Sequence, residues 1–190
     1  IGFTFTRATL SAVQIVNRRV QNNSYLPMRP KFKNCTFINN NRTQDDGGAI
    51  YIEGAEPIFE NCTFDNNSTV RNGGAVAIYS NRDHNISNHV SRSHFRNSTF
   101  KKNKVIPSDS NQGFVGGGAI DISEWSTATI VDCVFDSNRV ETKNEFSSGY
   151  GGAINAHGQF SPFKSLEENE LKIESSIIKN NIVEHVGNGY

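Results

Sequence analysis

The sequence has little of what a helical or deeply cored domain is made of. Of 190 residues one is Met and one is Trp, and hydrophobic residues make up only 35%. Ordinary domains reach ~45–50%, a figure that includes Gly. This argues against a helical bundle and a large globular core. No apolar run approaches the ~20 residues of a membrane-spanning helix, so no membrane span is expected. Net charge is absent too, with 19 Lys+Arg against 19 Asp+Glu. A general binder of nucleic acid would show a basic surplus, and no nucleic-acid partner is expected. There is no leader of basic and apolar regions, and the chain starts at Ile1. It is read as processed or as a fragment. Its length fits one domain.

What is abundant is Asn, with 24 residues, and Gly, with 16. Both fall into a repeat, which is the first thing to establish in an unfamiliar chain. One block is polar-Cys/Ser-x-Phe-x-x-Asn. It occurs at Asn34–Asn40, Asn61–Asn67, Asn97–Asn103 and Asp132–Asn138, with a degraded copy at Glu174–Asn180. The other is Gly-Gly-Ala-Ile/Val, at Gly47–Ile50, Gly73–Val76, Gly117–Ile120 and Gly151–Ile154. The two alternate strictly. The shortest step, Phe37 to Phe64, gives a unit of 27 residues. Longer steps carry inserts at 80–94, 104–116, 139–150 and 157–169, which read as loops.

Within each unit the apolar period is two. Ile50 and Ile52 share one face and Tyr51 the other; Cys35 and Phe37 share one face, with Asn34 and Thr36 opposite. Alternation with β-branched residues predicts strands, and Gly-Gly predicts a corner. A unit this short has no room for a crossover helix and cannot bury its one apolar face alone. Stacked as coils, such units close a continuous core. The expected fold is therefore all-β: a right-handed parallel β-helix of about five to six coils with loop inserts. Residues 32–190 form the repeats and stop mid-coil. Residues 1–31 are a degenerate first coil, a cap or an N-terminal interaction strand.

Stacking predicts structural ladders. Phe37, Phe64, Phe100, Phe135 and Ile177 form one. Asn40, Asn67, Asn103, Asn138 and Asn180 form another, at a bend where Asn tolerates left-handed dihedrals and bonds along the stack. Cys35, Cys62 and Cys133 fall at one repeat position, with Ser98 and Ser175 in the other copies. They read as small buried residues. A Cys35–Cys62 disulfide is the alternative, since adjacent coils put the Cα atoms ~4.8 Å apart. No two Cys have zinc-ligand spacing, and no metal or cofactor is expected.

Glycosylation sequons stand at Asn22, Asn34, Asn41, Asn61, Asn66, Asn67, Asn85 and Asn97. Alternation places Asn34, Asn61 and Asn97 on the solvent face in one line, so N-glycans are expected there. Enzymatic features are sparse. The outward row after the glycines is Tyr51, Ala77, Asp121 and Asn155, with a single acid. Asp45-Asp46 and His157-Gly158 lie three coils apart, roughly 14 Å. His84, His89 and His94 in an insert, and Lys101, Lys102 and Lys104, read as polar surface.

GGA[ILV] alternating with FxxN resembles the repeat signature of the polymorphic outer membrane proteins of chlamydiae and of similar surface proteins in protists and archaea. The resemblance covers residues 32–190. It implies a β-helix displayed outside the cell, often adhesive, with structural motifs and no catalytic residue. The expectation is a non-enzymatic extracellular glycoprotein. It would stack head to tail as a homo-oligomer or filament, because bare coil ends expose strand edges. An adhesin segment binding host or carbohydrate ligands is the alternative, and a polysaccharide lyase or hydrolase is third.

Overall fold

A computed structural model describes residues 2–17, 28–80, 91–108, 113–123, 126–143, 148–157 and 170–186. All its regular structure is strand, and every strand pairing is parallel. Among the described residues no helix is long and apolar enough to cross a membrane. Each of the four complete coils contributes strands to four sheets, and equivalent strands stack in register. The architecture is a parallel β-helix.

The phenylalanine sheet has six strands, from Thr4–Thr6 through Thr36–Ile38, Thr63–Asp65, Thr99–Lys101 and Val134–Asp136 to Ile177–Lys179. Its inward column is Phe5, Phe37, Phe64, Phe100, Phe135 and Ile178. Successive rings are stacked at 4.8, 4.9, 4.4 and 4.6 Å, within 6° of parallel. Rings so close over one another are offset-stacked aromatic pairs.

A second aromatic column stands beside it. The flanking sheet aligns Phe32, Phe59, Phe95, Ile130 and Ile173. Its rings stack at 5.0 Å and meet the first column edge-on, for example Phe95 on Phe100 at 5.5 Å and 73°. The glycine-corner sheet closes the core with Ile50, Val76 and Ile120 in one row and Ile52, Ile78 and Ile122 in the next, all fully buried. Four inward columns fill a narrow tube, so few apolar residues suffice.

The corners explain the Asn and Gly content. Asn34, Asn61, Asn97, Asp132 and Ser175 have φ of 48–55° at one corner. Asn39, Asn66, Lys102, Ser137 and Asn180 have φ of 51–57° at the next. Left-handed backbone thus falls one residue before each ladder Asn, and not on the ladder Asn as the sequence suggested. The first glycine of each GG is also left-handed, with φ of 56–74°. The second is fixed by contact: a Cβ on Gly74 or Gly118 would lie 2.6 or 2.7 Å from the backbone nitrogen of Lys104 or Arg139.

The ladder asparagines are fully buried hydrogen-bonding posts. Asn103 Nδ2 donates to Phe64 O (3.0 Å) and Asn138 Oδ1 (2.9 Å). Its Oδ1 accepts from the backbone N and Nδ2 of Asn67. Asn40, Asn67 and Asn138 repeat the pattern.

Two ladder assignments are corrected in the last coil. Phe135 pairs with Ile178, not Ile177, and Asn138 bonds Asn181, not Asn180. Likewise Ser176, not Ser175, takes the Cys position, since Cys133 N donates to Ser176 Oγ at 3.0 Å. At the other end, Thr4–Thr6 and Val13–Val16 occupy places in the stack, and Ala8 N bonds Asn40 Oδ1 where a ladder Asn would stand.

The three cysteines are free, buried thiols. The Cys35–Cys62 disulfide is not formed. Each sulfur instead hydrogen-bonds the carbonyl two residues before it, at 3.3–3.4 Å. Ser98 and Ser176 do the same with oxygen, which is why Cys and Ser interchange here. Burial, with Cys35 alongside, pushes the Cys62 thiol up to about 11. A protonated, buried thiol is inert. We therefore expect the native protein to resist maleimide at neutral pH and to label at three sites once unfolded; Cys62→Ser should change stability little.

Candidate cleft on the glycine-corner sheet

The inserts before Gly117 and Gly151 are not loops throughout. Phe114–Gly116 and Ser148–Tyr150 pair as a two-stranded parallel sheet. On one face Val115 packs with Val105 and Val140 in a small core of their own. The other face is defined by Gly116, where a Cβ would stand 2.6 Å from Asn155 Nδ2. Residues two apart on a strand share a face, and so do residues paired across strands. Phe114 and Tyr150 therefore project to the Asn155 side. This small sheet is a wing, and it meets the outer face of the glycine-corner sheet where Gly116 lies against Asn155.

Two rows make the floor. One is Gln14, Tyr51, Ala77, Asp121 and Asn155. The next is Glu53, Tyr79, Ser123 and His157, placed by the register and by the bonds Ser123 N to Ile78 O and His157 N to Ile122 O. Asp121 is fully buried. It accepts from Asn155 Nδ2 (2.7 Å) and Ser123 Oγ (2.8 Å), and lies 3.4 Å from His157 Nε2. A buried carboxylate persists only with such partners.

The wing-side row before the first glycine runs Asp46, Asn72, Gly116 and Tyr150, linked coil to coil by backbone bonds. Asp46 is 7% exposed and accepts from Asn72 N at 2.8 Å. Burial raises its carboxyl above the usual range, against the Tyr79 hydrogen bond and the Arg71 charge. The Tyr79 hydroxyl bonds both Asp46 and Ser123; burial, then the charges of Asp46 and Asp121, push it upward. Asp46 and His157, which the sequence separated by three coils, are thus joined through Tyr79 and Ser123.

The Asp121–Ser123–His157 group is not a nucleophile triad. In a triad the carboxylate holds the imidazole nitrogen opposite the one facing serine. Here both Ser123 Oγ, at 3.1 Å, and Asp121 approach the same Nε2. Ser123 Oγ donates its hydrogen bond to Asp121, so the three side chains hold one another in place.

Asn34, Asn61 and Asn97 are exposed and form a file, with Asn61 Nδ2 on Asn34 Oδ1 (3.1 Å) and Asn97 Nδ2 on Asn61 Oδ1 (2.8 Å). Asn41 and Asn66 are exposed at corners. Asn67 is fully buried, with Nδ2 bonded to Phe37 O and Asn103 Oδ1. That corrects its reading as a glycosylation site, because a glycan on that nitrogen does not fit the folded coil. Asn22, Asn85, His84 and His89 lie outside the described residues; His94 is exposed on the flanking sheet. Among the described residues no group of three or more His, Cys, Asp or Glu is placed to hold a metal. Lys101 pairs with Asp65 at 3.2 Å, while Lys102, Lys104 and Arg139 line a shallow groove at the asparagine corner.

A family model described as a right-handed β-helix region matches residues 3–165. No curated protein matches the chain, and no solved structure does.

Proposed function

The chain belongs to the right-handed β-helix family, and from that premise we propose that it is a non-enzymatic, extracellular structural protein that stacks end to end. The observation that carries this reading is the likeness of successive coils. Phe37, Phe64, Phe100 and Phe135 repeat one inward residue, each paired in parallel register with the next, in a column that runs from Phe5 to Ile178. Coils that pair with their own kind along an axis can pair in the same way across copies.

The resemblance of the GGA and FxxN repeats to polymorphic outer membrane proteins supports display outside the cell. The exposed sequon file supports N-glycans on Asn34, Asn61 and Asn97, with Asn41 and Asn66 as further acceptors. The carboxylates of the cleft support a non-catalytic role, since Asp121 and Asp46 are both buried and already hydrogen-bonded. Light scattering and negative-stain imaging over a concentration series test the stacking. Rods that lengthen with concentration, and that Ile178→Lys abolishes, are expected. Monodisperse monomers throughout sink the idea. The cleft favours a second reading, an adhesive segment that binds carbohydrate.

A further inference from the structure

We propose that the cleft between the wing and the glycine-corner sheet is a binding site for a neutral pyranose oligosaccharide, with Phe114 and Tyr150 as its stacking wall. This deepens the carbohydrate reading of the cleft and does not depend on end-to-end stacking.

The first ground is the aromatic pair. Phe114 is 74% and Tyr150 46% exposed, with ring centroids 5.7 Å apart. Every other described Phe apart from Phe3 is at least half-buried in the stack. Aromatic side chains left in water on a built sheet mark a recognition surface. The folding core does not require these two, because Val115 on the opposite face makes the wing's packing contacts.

The second ground is the floor that the pair faces. Phe114 lies two residues, about 7 Å of strand, from Gly116. Gly116 lacks a side chain where the Asn155 amide sits. Asp121 anchors Asn155, which lies against the wing, and holds His157 in the next row of the same face, so an amide and an imidazole are both fixed on the floor. Apolar faces with a few convergent, pre-oriented polar groups are what a small-ligand site requires. A pyranose offers a C–H face to the wall and hydroxyls to the floor.

The third ground is charge. Asp45 and Glu53 are partly exposed beside the floor, and Asp46 and Asp121 are buried beneath it. The cations near them, Arg42 and Arg71, are engaged by Asp45 at 2.8 and 3.8 Å; Arg42 also bonds Ser11 and the Asp46 carbonyl. His157 is tied to Asp121. Acids at and under the floor with no free cation among these partners repel uronates and sulfated sugars and leave neutral ones.

Calorimetric titration with cellohexaose, mannohexaose, xylohexaose and polygalacturonate tests this. At least one neutral hexasaccharide should bind with Kd of about 0.1–1 mM. Phe114→Ala and Tyr150→Ala should each weaken it about tenfold with an unchanged melting temperature, and His157→Ala should weaken it at intact fold. Absence of binding by all three neutral hexasaccharides up to about 10 mM overturns the proposal. So does preference for polygalacturonate, or binding indifferent to both aromatic truncations. Titrating the Ile178→Lys protein as well keeps the outcome separate from stacking.

Discussion

Phe100→Ala should cost about 3–5 kcal/mol, the range for emptying a fully buried phenylalanine site. Phe100 sits between Phe64 at 4.4 Å and Phe135 at 4.6 Å, with Phe95 edge-on. Removing the ring breaks one column and undercuts the next. In a solenoid each coil contacts only its neighbours, so stability is close to a sum of coil and interface terms. The loss therefore concentrates at the interfaces of one coil. Urea unfolding should show the N-terminal and C-terminal halves separating into two transitions. Phe100→Leu, which keeps most of the volume, should cost far less. A single transition with less than about 1 kcal/mol of loss contradicts the stacking account.

Asn103→Ala should be comparably severe, although it deletes only a small polar group. The substitution leaves the buried backbone N–H of Asn67 without its acceptor and Phe64 O without the Nδ2 donor. At ~1–3 kcal/mol for each stranded group, the expected loss is about 3–5 kcal/mol by chemical denaturation. Asn103→Asp separates shape from hydrogen bonding. It keeps the acceptor but turns an oxygen toward Phe64 O and Asn138 Oδ1, where Nδ2 had donated. Only the protonated acid can donate there, so its folded pKa lies above the unfolded value of ~3.9. Stability is then greatest below that value and falls as pH rises through the folded pKa. A variant whose stability is flat between pH 3 and 7 would refute this role for the amide.

Much of this was legible in the sequence because each coil repeats its chemistry at fixed offsets. Phe37, Phe64, Phe100 and Phe135 stack as their spacing implies. The last coil was misread by one residue for a specific reason. Ser175-Ser176, Ile177-Ile178 and Asn180-Asn181 double every diagnostic position. Two frames match the motif equally, and only the bonds from Cys133 and Asn138 choose between them. The flanking column of Phe32, Phe59 and Phe95 was missed because it lies outside the FxxN block, three residues before each Cys or Ser.

The cleft was half legible. Tyr51, Asp121 and Asn155 follow from alternation. Tyr79, Ser123 and His157 lie two residues further along the same face, and the same period points to them. The wing gave no such signal. Phe114–Gly116 and Ser148–Tyr150 end inserts of unequal length with no shared motif. Their pairing comes from the coils beneath, which hold the two inserts in register. Asn67 shows the converse limit. The sequon it heads is intact, but its side chain is a buried post.

The two asparagine files have opposite polarity. In the buried file each Nδ2 points to the next coil, from Asn40 to Asn67, Asn103, Asn138 and Asn181. In the surface file each Nδ2 points back, from Asn97 to Asn61 to Asn34, and Asn66 turns back to Asn39 likewise. A column of aligned amides polarises along its axis and strengthens its own bonds. Two columns of opposed sense oppose each other's axial dipoles. Over the three coils that Asn34, Asn61 and Asn97 span, the two columns therefore offset part of each other's polarisation, while each still marks which way along the axis is forward.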